Sequence, residues 1–107
     1  EFGDNPFIGY WHDFGHIQRK HNLLILNHEQ FLRRMSYHLI GGHVNDVKWP
    51  ARDHQVPLLG GVVPFERLLP FFPHGVPLVW ELSSRVSSED IRAARKLCME
   101  KFPQTLA

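Results

Sequence analysis

The sequence predicts an α/β domain in the order βαβαβα, with its strands parallel in one sheet. Three observations carry that reading. Three short runs rich in aromatic and branched residues occur: Phe7-Ile8-Gly9-Tyr10-Trp11-His12, Leu39-Ile40-Gly41-Gly42 and Val76-Pro77-Leu78-Val79-Trp80. They have the composition of buried strands. Helix signals follow each run, and the run ends are roughly thirty to forty residues apart, about one strand–helix unit. Such alternation implies right-handed crossovers between parallel strands.

Residues 7 to 12 form the first predicted strand. A loop is expected from Phe14 to Leu26. Asn27 suits a helix N-cap and Gln30 the matching box position, opening a helix from His28 to Tyr37. Phe31, Leu32, Met35 and Leu39 give that helix an apolar stripe, ordinary core spacing. Leu39 to Val47 is the second strand with its outgoing turn, and Gly41-Gly42 suggests close approach by a neighbour. A long connection runs from Lys48 to Val63, and loops of that length in small domains tend to carry function. A short helix, Pro64 to Phe71, begins on proline and is ended by Pro70, Pro73 and Gly75. Val76 to Leu82 is the third strand. Ser87 and Asp90 form a capping box for a last helix reaching Lys101, before Pro103.

At 107 residues the chain is one domain or part of one, and its net charge of +1 offers no strong field for nucleic acid or membrane. Cys98 is the one cysteine, placed on the buried side of the last helix, so no internal disulfide forms. No apolar run is long enough to span a bilayer and no signal peptide opens the chain, so a cytoplasmic setting is expected. Glu1-Phe2-Gly3-Asp4-Asn5-Pro6 lacks an initiator Met and leads almost at once into a strand. That reads as a chain continuing upstream, although a cloning remnant would read the same way.

Eight histidines are the compositional oddity. The first apolar run leads into Asp13 and His16, the second into His43 and the third into Glu81. Parallel neighbouring strands would bring these residues to one carboxyl edge, where α/β sheets place their chemistry. Carboxylate oxygen and imidazole nitrogen without thiolate suit Zn²⁺, Mn²⁺, Co²⁺ or Fe²⁺. Asp13, His43 and Glu81 are therefore the candidate metal ligands, with His16 beside the metal or a substrate oxygen. Asp46 is expected to orient His43 through its second ring proton. A lone histidine in a turn is ordinarily solvated, and a glutamate ending a strand is ordinarily a rim charge. The coincidence of three strand ends is what singles these residues out. His12, His21, His28, His38 and His74 read as surface or packing residues. In the long connection, Arg52 and His54 are candidates for substrate oxygen or phosphate, and Gly60-Gly61 would let backbone N–H groups approach an anion. A flexible surface loop is the alternative there.

These residues resemble the carboxyl-terminal part of the sugar phosphate isomerase/epimerase family with the xylose-isomerase-like barrel, a group that includes the endonuclease IV type of DNA repair enzyme. Asp13-Phe14-Gly15-His16 is similar to the family's Asp-x-x-His after strand six, and Gly42-His43-Val44-Asn45-Asp46 to its His-x-x-Asp after strand seven. Asp53-His54 through Gly60-Gly61-Val62-Val63-Pro64-Phe65 resembles a loop ending in Gly-Glu-Gly, which is Leu59-Gly60-Gly61 here. Pro77-Leu78-Val79-Trp80-Glu81-Leu82 resembles the strand-eight segment ending in a ligand Glu.

The resemblance implies the last three units of a (β/α)8 barrel, incomplete on their own. It implies one divalent metal (Mn, Zn, Co or Mg) on Asp13, His43 and Glu81, with a fourth ligand on a strand this sequence lacks. Glu81 would also move a proton on a small-molecule sugar substrate, with His16 catalytic or substrate-binding and Arg52 and His54 binding substrate. A three-stranded piece would leave edges and an apolar face to cover, so a homo-oligomer or a missing N-terminal half is the expected partner. The alternatives are a non-catalytic αβ module that self-associates through its sheet, and a nucleic-acid repair enzyme of the same fold, against which the near-neutral charge argues.

Overall fold

The structure, a computed structural model, describes residues 9–103. Strands β1 (Tyr10–Asp13), β2 (Leu39–Val44) and β5 (Leu78–Trp80) make a three-stranded parallel sheet in the order β1-β2-β5. Among the described residues four α-helices accompany it: α1 (Phe14–Asn22), α2 (His28–Met35), α3 (Phe65–Leu68) and α4 (Ser88–Lys101). Strands β3 (Asp46–Lys48) and β4 (Arg52–Gln55) form a separate antiparallel hairpin. The parallel α/β order expected from the sequence is thus present. Phe7 and Ile8 of the expected first strand lie outside the described residues.

Two segments differ from expectation. Residues 14 to 22 form helix α1 where a loop is predicted. Asp13 is the reason: its side chain accepts the His16 backbone N–H at 2.9 Å and so caps a helix directly off the strand. Phe14, Ile17 and Gln18 are buried, and Arg19, Lys20 and His21 in the last turn suit the helix dipole. The long connection is not one open loop either, since its first half folds into the β3–β4 hairpin. The caps of α2 and α4 are as expected: Asn27 accepts from Gln30 N at 3.0 Å and Ser87 from Asp90 N at 3.1 Å.

The core lies between the helices and one face of the sheet. Phe14, Leu32, Val44, Phe65, Leu68 and Cys98 are fully buried within it. Phe14 stacks on Phe72 with ring centroids 5.1 Å apart. Burial pushes the Cys98 thiol up to about 11, so it is an inert core residue.

A buried polar chain ties β1 to the first two helices. Tyr10 Oη donates to His12 Nδ1 at 2.9 Å, and the His12 and His28 Nε2 atoms meet at 2.9 Å. His28 Nδ1 donates to Gln18 Oε1 at 2.7 Å, and Gln18 Nε2 to Asn22 Oδ1 at 2.8 Å. That direction leaves His28 Nε2 as acceptor and His12 Nε2–H as donor, so both rings are neutral. Burial drives both histidines well below their usual range, each further lowered by a neighbouring histidine.

Sheet register sets the other face. Asp13 pairs with His43 and His43 with Val79, so all three side chains stand on one face. Glu81, two residues past Val79, continues that row, and its backbone N–H donates to the Val44 carbonyl at 3.1 Å. Trp11 (38% exposed), Ile40 (54%) and Val79 (49%) form the open apolar part of the sheet. Gly41 is needed here, because a Cβ would meet the Trp11 ring and the Pro77 carbonyl. No helix of the described residues is long and apolar enough to cross a membrane.

Candidate metal centre

Asp13 closes β1, His43 lies one residue from the end of β2, and Glu81 follows β5 directly. One ligand atom from each lies within 4.8 Å of the other two. His43 Nδ1 is 4.0 Å from Asp13 Oδ2 and 3.9 Å from Glu81 Oε2. These separations are too long for hydrogen bonds. They suit atoms that share a partner: two atoms each about 2.1 Å from one ion, at angles of roughly 109–140°, lie about 3.4–4 Å apart. The two His43 separations already stand at the upper end of that range, and the Asp13 and Glu81 ligand atoms lie within 4.8 Å of each other. All three side chains are partly exposed, and the Trp11 ring stands edge-on to His43 at 5.4 Å, fixing its plane.

Asp13 has divided duties. Its Oδ1 is engaged by the α1 cap, which leaves Oδ2 for His43. The cap sets the rotamer that a ligand position requires. Glu81 is divided likewise: Oε2 faces His43 and Oε1 lies 3.4 Å from His54 Nε2. His54 Nδ1 is in turn 3.2 Å from Asp53 Oδ1, and Asp53 Oδ2 is 2.7 Å from Arg19 Nη1. The sequence thus predicts His54 as a site residue, and the structure places it against Glu81. The His54 backbone is in the left-handed region (φ 54°), a strained setting for a non-glycine residue. In that conformation its carbonyl accepts the Ser83 N–H at 2.8 Å while its ring reaches Glu81. The His54 hydrogen bond, and then Arg19, hold the Asp53 carboxyl below its usual range.

His16 is exposed on the first turn of α1 and is not one of the three converging residues. It lines a small cavity of about 50 Å³ beside them, together with Asp13, Arg19, Asn45, Asp53 and His54. Arg52, on β4, opens instead onto a separate, larger cavity that it shares with Asp53.

Asp46 does not orient His43. Its buried Oδ1 accepts the backbone N–H groups of Val47 at 2.8 Å and Val63 at 2.9 Å. Burial raises its pKa against the lowering effect of those bonds. A Cβ on Gly61 would overlap this carboxylate. The anion approached by the Gly60-Gly61 segment is therefore the protein's own Asp46, which staples the end of the long connection to β3.

Asn45 is the site residue that sequence reasoning missed. It is fully buried, and its Oδ1 accepts the Gly15 N–H at 2.7 Å. Its Nδ2 has no hydrogen-bond partner among the described residues, and Asn45 lines the small cavity. The available signal was Gly15, whose missing Cβ makes room for the Asn45 amide at the start of α1.

No family model, no curated protein and no solved structure matches this chain.

Proposed function

We propose that Asp13, His43 and Glu81 hold one divalent metal, and that the chain is the strand-six-to-eight portion of a barrel that isomerises or epimerises a sugar or sugar phosphate. The observation that carries this reading is the convergence of three ligand-type side chains from the ends of three adjacent parallel strands, with His43 Nδ1 3.9 and 4.0 Å from the two carboxylates. The residue resemblance described above supplies the reaction class.

A divalent ion at such a site would polarise a substrate carbonyl and its neighbouring hydroxyl, easing enediolate formation. The chain's own groups account for the rest. Glu81 Oε1, on the side away from His43, takes the carbon-bound proton. The C–H electron pair becomes the enediolate double bond as the carbonyl oxygen gains charge. Return of a proton to the neighbouring carbon isomerises the sugar, and return to the opposite face of the same carbon epimerises it. His54 Nε2 lies 3.4 Å from Glu81 Oε1, and His16, on the lining of the adjoining cavity, offers a contact to a substrate oxygen. In the resembling family a second carboxylate serves the opposite face, on a strand this sequence does not contain.

Titration of the protein with Mn²⁺ or Zn²⁺ tests the reading. Asp13→Asn, His43→Ala and Glu81→Gln are each expected to abolish or strongly weaken binding. Three variants that bind metal as tightly as the parent would rule the site out.

A second reading is favoured by Trp11, Ile40 and Val79, which leave apolar surface open on the same sheet face. In that reading the chain is a non-catalytic module whose sheet self-associates. Sedimentation analysis with metal analysis separates the two: a metal-free stable oligomer supports the module.

A further inference from the structure

The turn between α1 and α2 presents Leu23, Leu24 and Ile25 to solvent, Leu24 at 91% exposure and its neighbours at more than half. Among the described residues no other three consecutive large apolar side chains are exposed. The turn is held rigidly. Ile25 N donates to the Lys20 carbonyl at 2.9 Å and Leu24 N to the His21 carbonyl at 2.9 Å, the Schellman pattern that closes a helix. Leu23 N adds a bond to the Arg19 carbonyl at 3.0 Å.

Leu24 has φ 62°, at the left-handed position that glycine ordinarily fills after a helix. A leucine there costs backbone strain, and at this exposure its side chain adds nothing to the core. A rigid apolar projection of this kind fits contact with a phase outside the fold.

Charge and area decide which phase. The net charge of +1 conceals a segregation. Residues 19 to 34 hold Arg19, Lys20, Arg33 and Arg34 against one acid, Glu29, and so carry +3, while the remainder of the chain carries −2. Glu29 is itself paired, with Arg33 at 3.2 Å and Arg67 at 2.9 Å. Lys20, whose carbonyl anchors the turn, takes part in none of the ion pairs among the described residues. The apolar tip thus stands on a positive base. Three such side chains offer on the order of a few hundred Å², against roughly 800 Å² per partner in a stable protein interface. A bilayer needs no matching surface: aliphatic side chains enter the boundary between headgroups and acyl chains while cations meet anionic headgroups.

We propose that the α1–α2 turn docks the protein on an anionic bilayer surface, with Leu23, Leu24 and Ile25 in the headgroup–acyl boundary and Lys20 against the headgroups. The chain lies on the surface and does not cross it. This docking does not depend on the metal centre.

Co-sedimentation with phosphatidylcholine vesicles, with and without phosphatidylserine, tests the proposal. The parent is expected to bind the phosphatidylserine vesicles, less so at high salt. Leu24→Asn removes the apolar tip while suiting the left-handed backbone, so it should fold as the parent does and lose partitioning about tenfold or more. Lys20→Gln should lose about fivefold on the phosphatidylserine vesicles and little on phosphatidylcholine alone. Met99→Ser, at an exposed apolar position on α4, should change nothing. A parent that stays in the supernatant beside phosphatidylserine vesicles overturns the proposal. So does binding that Leu24→Asn retains, or an equal loss in Met99→Ser, which would indicate general adhesion of apolar surface. Self-association of the parent that Leu24→Asn abolishes, without vesicle binding, would make a second copy the occupant and also overturns it.

Discussion

The Asp13 carboxylate and the His16 backbone N–H are joined at 2.9 Å, so the residue that ends β1 also starts α1. One side chain thereby does two jobs with two oxygens, capping through Oδ1 and facing His43 through Oδ2. Substitutions separate the jobs. Asparagine is a good N-cap but a poorer ligand, so Asp13→Asn should hold stability within a few tenths of a kcal/mol of the parent while losing metal affinity. Asp13→Ala should lose both, at about 1 kcal/mol of stability. Urea denaturation beside Mn²⁺ titration reads the two effects, and an equal stability loss in both variants would deny the cap its role.

Asn45 gives a prediction about packing. Its Oδ1 satisfies the buried Gly15 N–H, one of the uncapped donors at the start of α1. Asn45→Ala leaves that donor buried and unpaired, a cost of about 1–3 kcal/mol. A denaturation midpoint unmoved by the substitution would show that water serves Gly15 equally well.

These two residues mark where the sequence was readable and where it was not. The strand ends were legible because apolar runs stop on polar residues, and parallel pairing then aligns Asp13, His43 and Glu81 with no further information. The caps on α2 and α4 were legible because Asn27 and Ser87 sit at fixed offsets from Gln30 and Asp90. Helix α1 is hidden because its capping signal, the Asp13 carboxylate, is also the polar end of an apolar run, so one residue type at that position fits a ligand and a cap equally well. The roles of Asp46 and Asn45 depend on contacts with Val63 and Gly15, distant in sequence, which no local spacing encodes. The hairpin was hidden because its strands are three and four residues long and carry no apolar alternation.

Gly60 and Gly61 are adjacent but should respond differently to alanine. Gly60 has φ 88° and open space where a Cβ would stand, so Gly60→Ala costs only backbone strain, about 1–2 kcal/mol. Gly61→Ala drives a methyl into the Asp46 carboxylate, which already holds Val47 N and Val63 N. Displacing that acceptor should add roughly 1–3 kcal/mol for each backbone donor left unpaired. Chemical denaturation of the two variants ranks them, and a smaller loss for Gly61→Ala would contradict the staple.

The buried His12–His28 pair makes stability depend on acid. Both rings are neutral in the fold, with values near 3 and 4 against an ordinary 6.5, because burial penalises their charged forms. Between 6.5 and those lower values the unfolded chain binds more protons than the folded one, so stability rises with pH and is lost as pH falls. A proton on His28 would also set two N–H groups against each other across the 2.9 Å contact between the rings. Each histidine should cost about 1.4 kcal/mol per pH unit through the window from 6.5 toward 4. Asp46 acts in the opposite sense, since its raised pKa favours the folded state as its carboxyl protonates. Asp53 adds a loss at more acidic pH, where its lowered carboxyl protonates. Urea midpoints measured from pH 7.5 to 4.5 should therefore fall steeply below about 6.5 in the parent. The fall should be largely absent in the His12→Phe/His28→Leu double variant, provided it retains a cooperative transition at neutral pH. A flat parent profile across that range would mean that the pair takes up protons inside the fold.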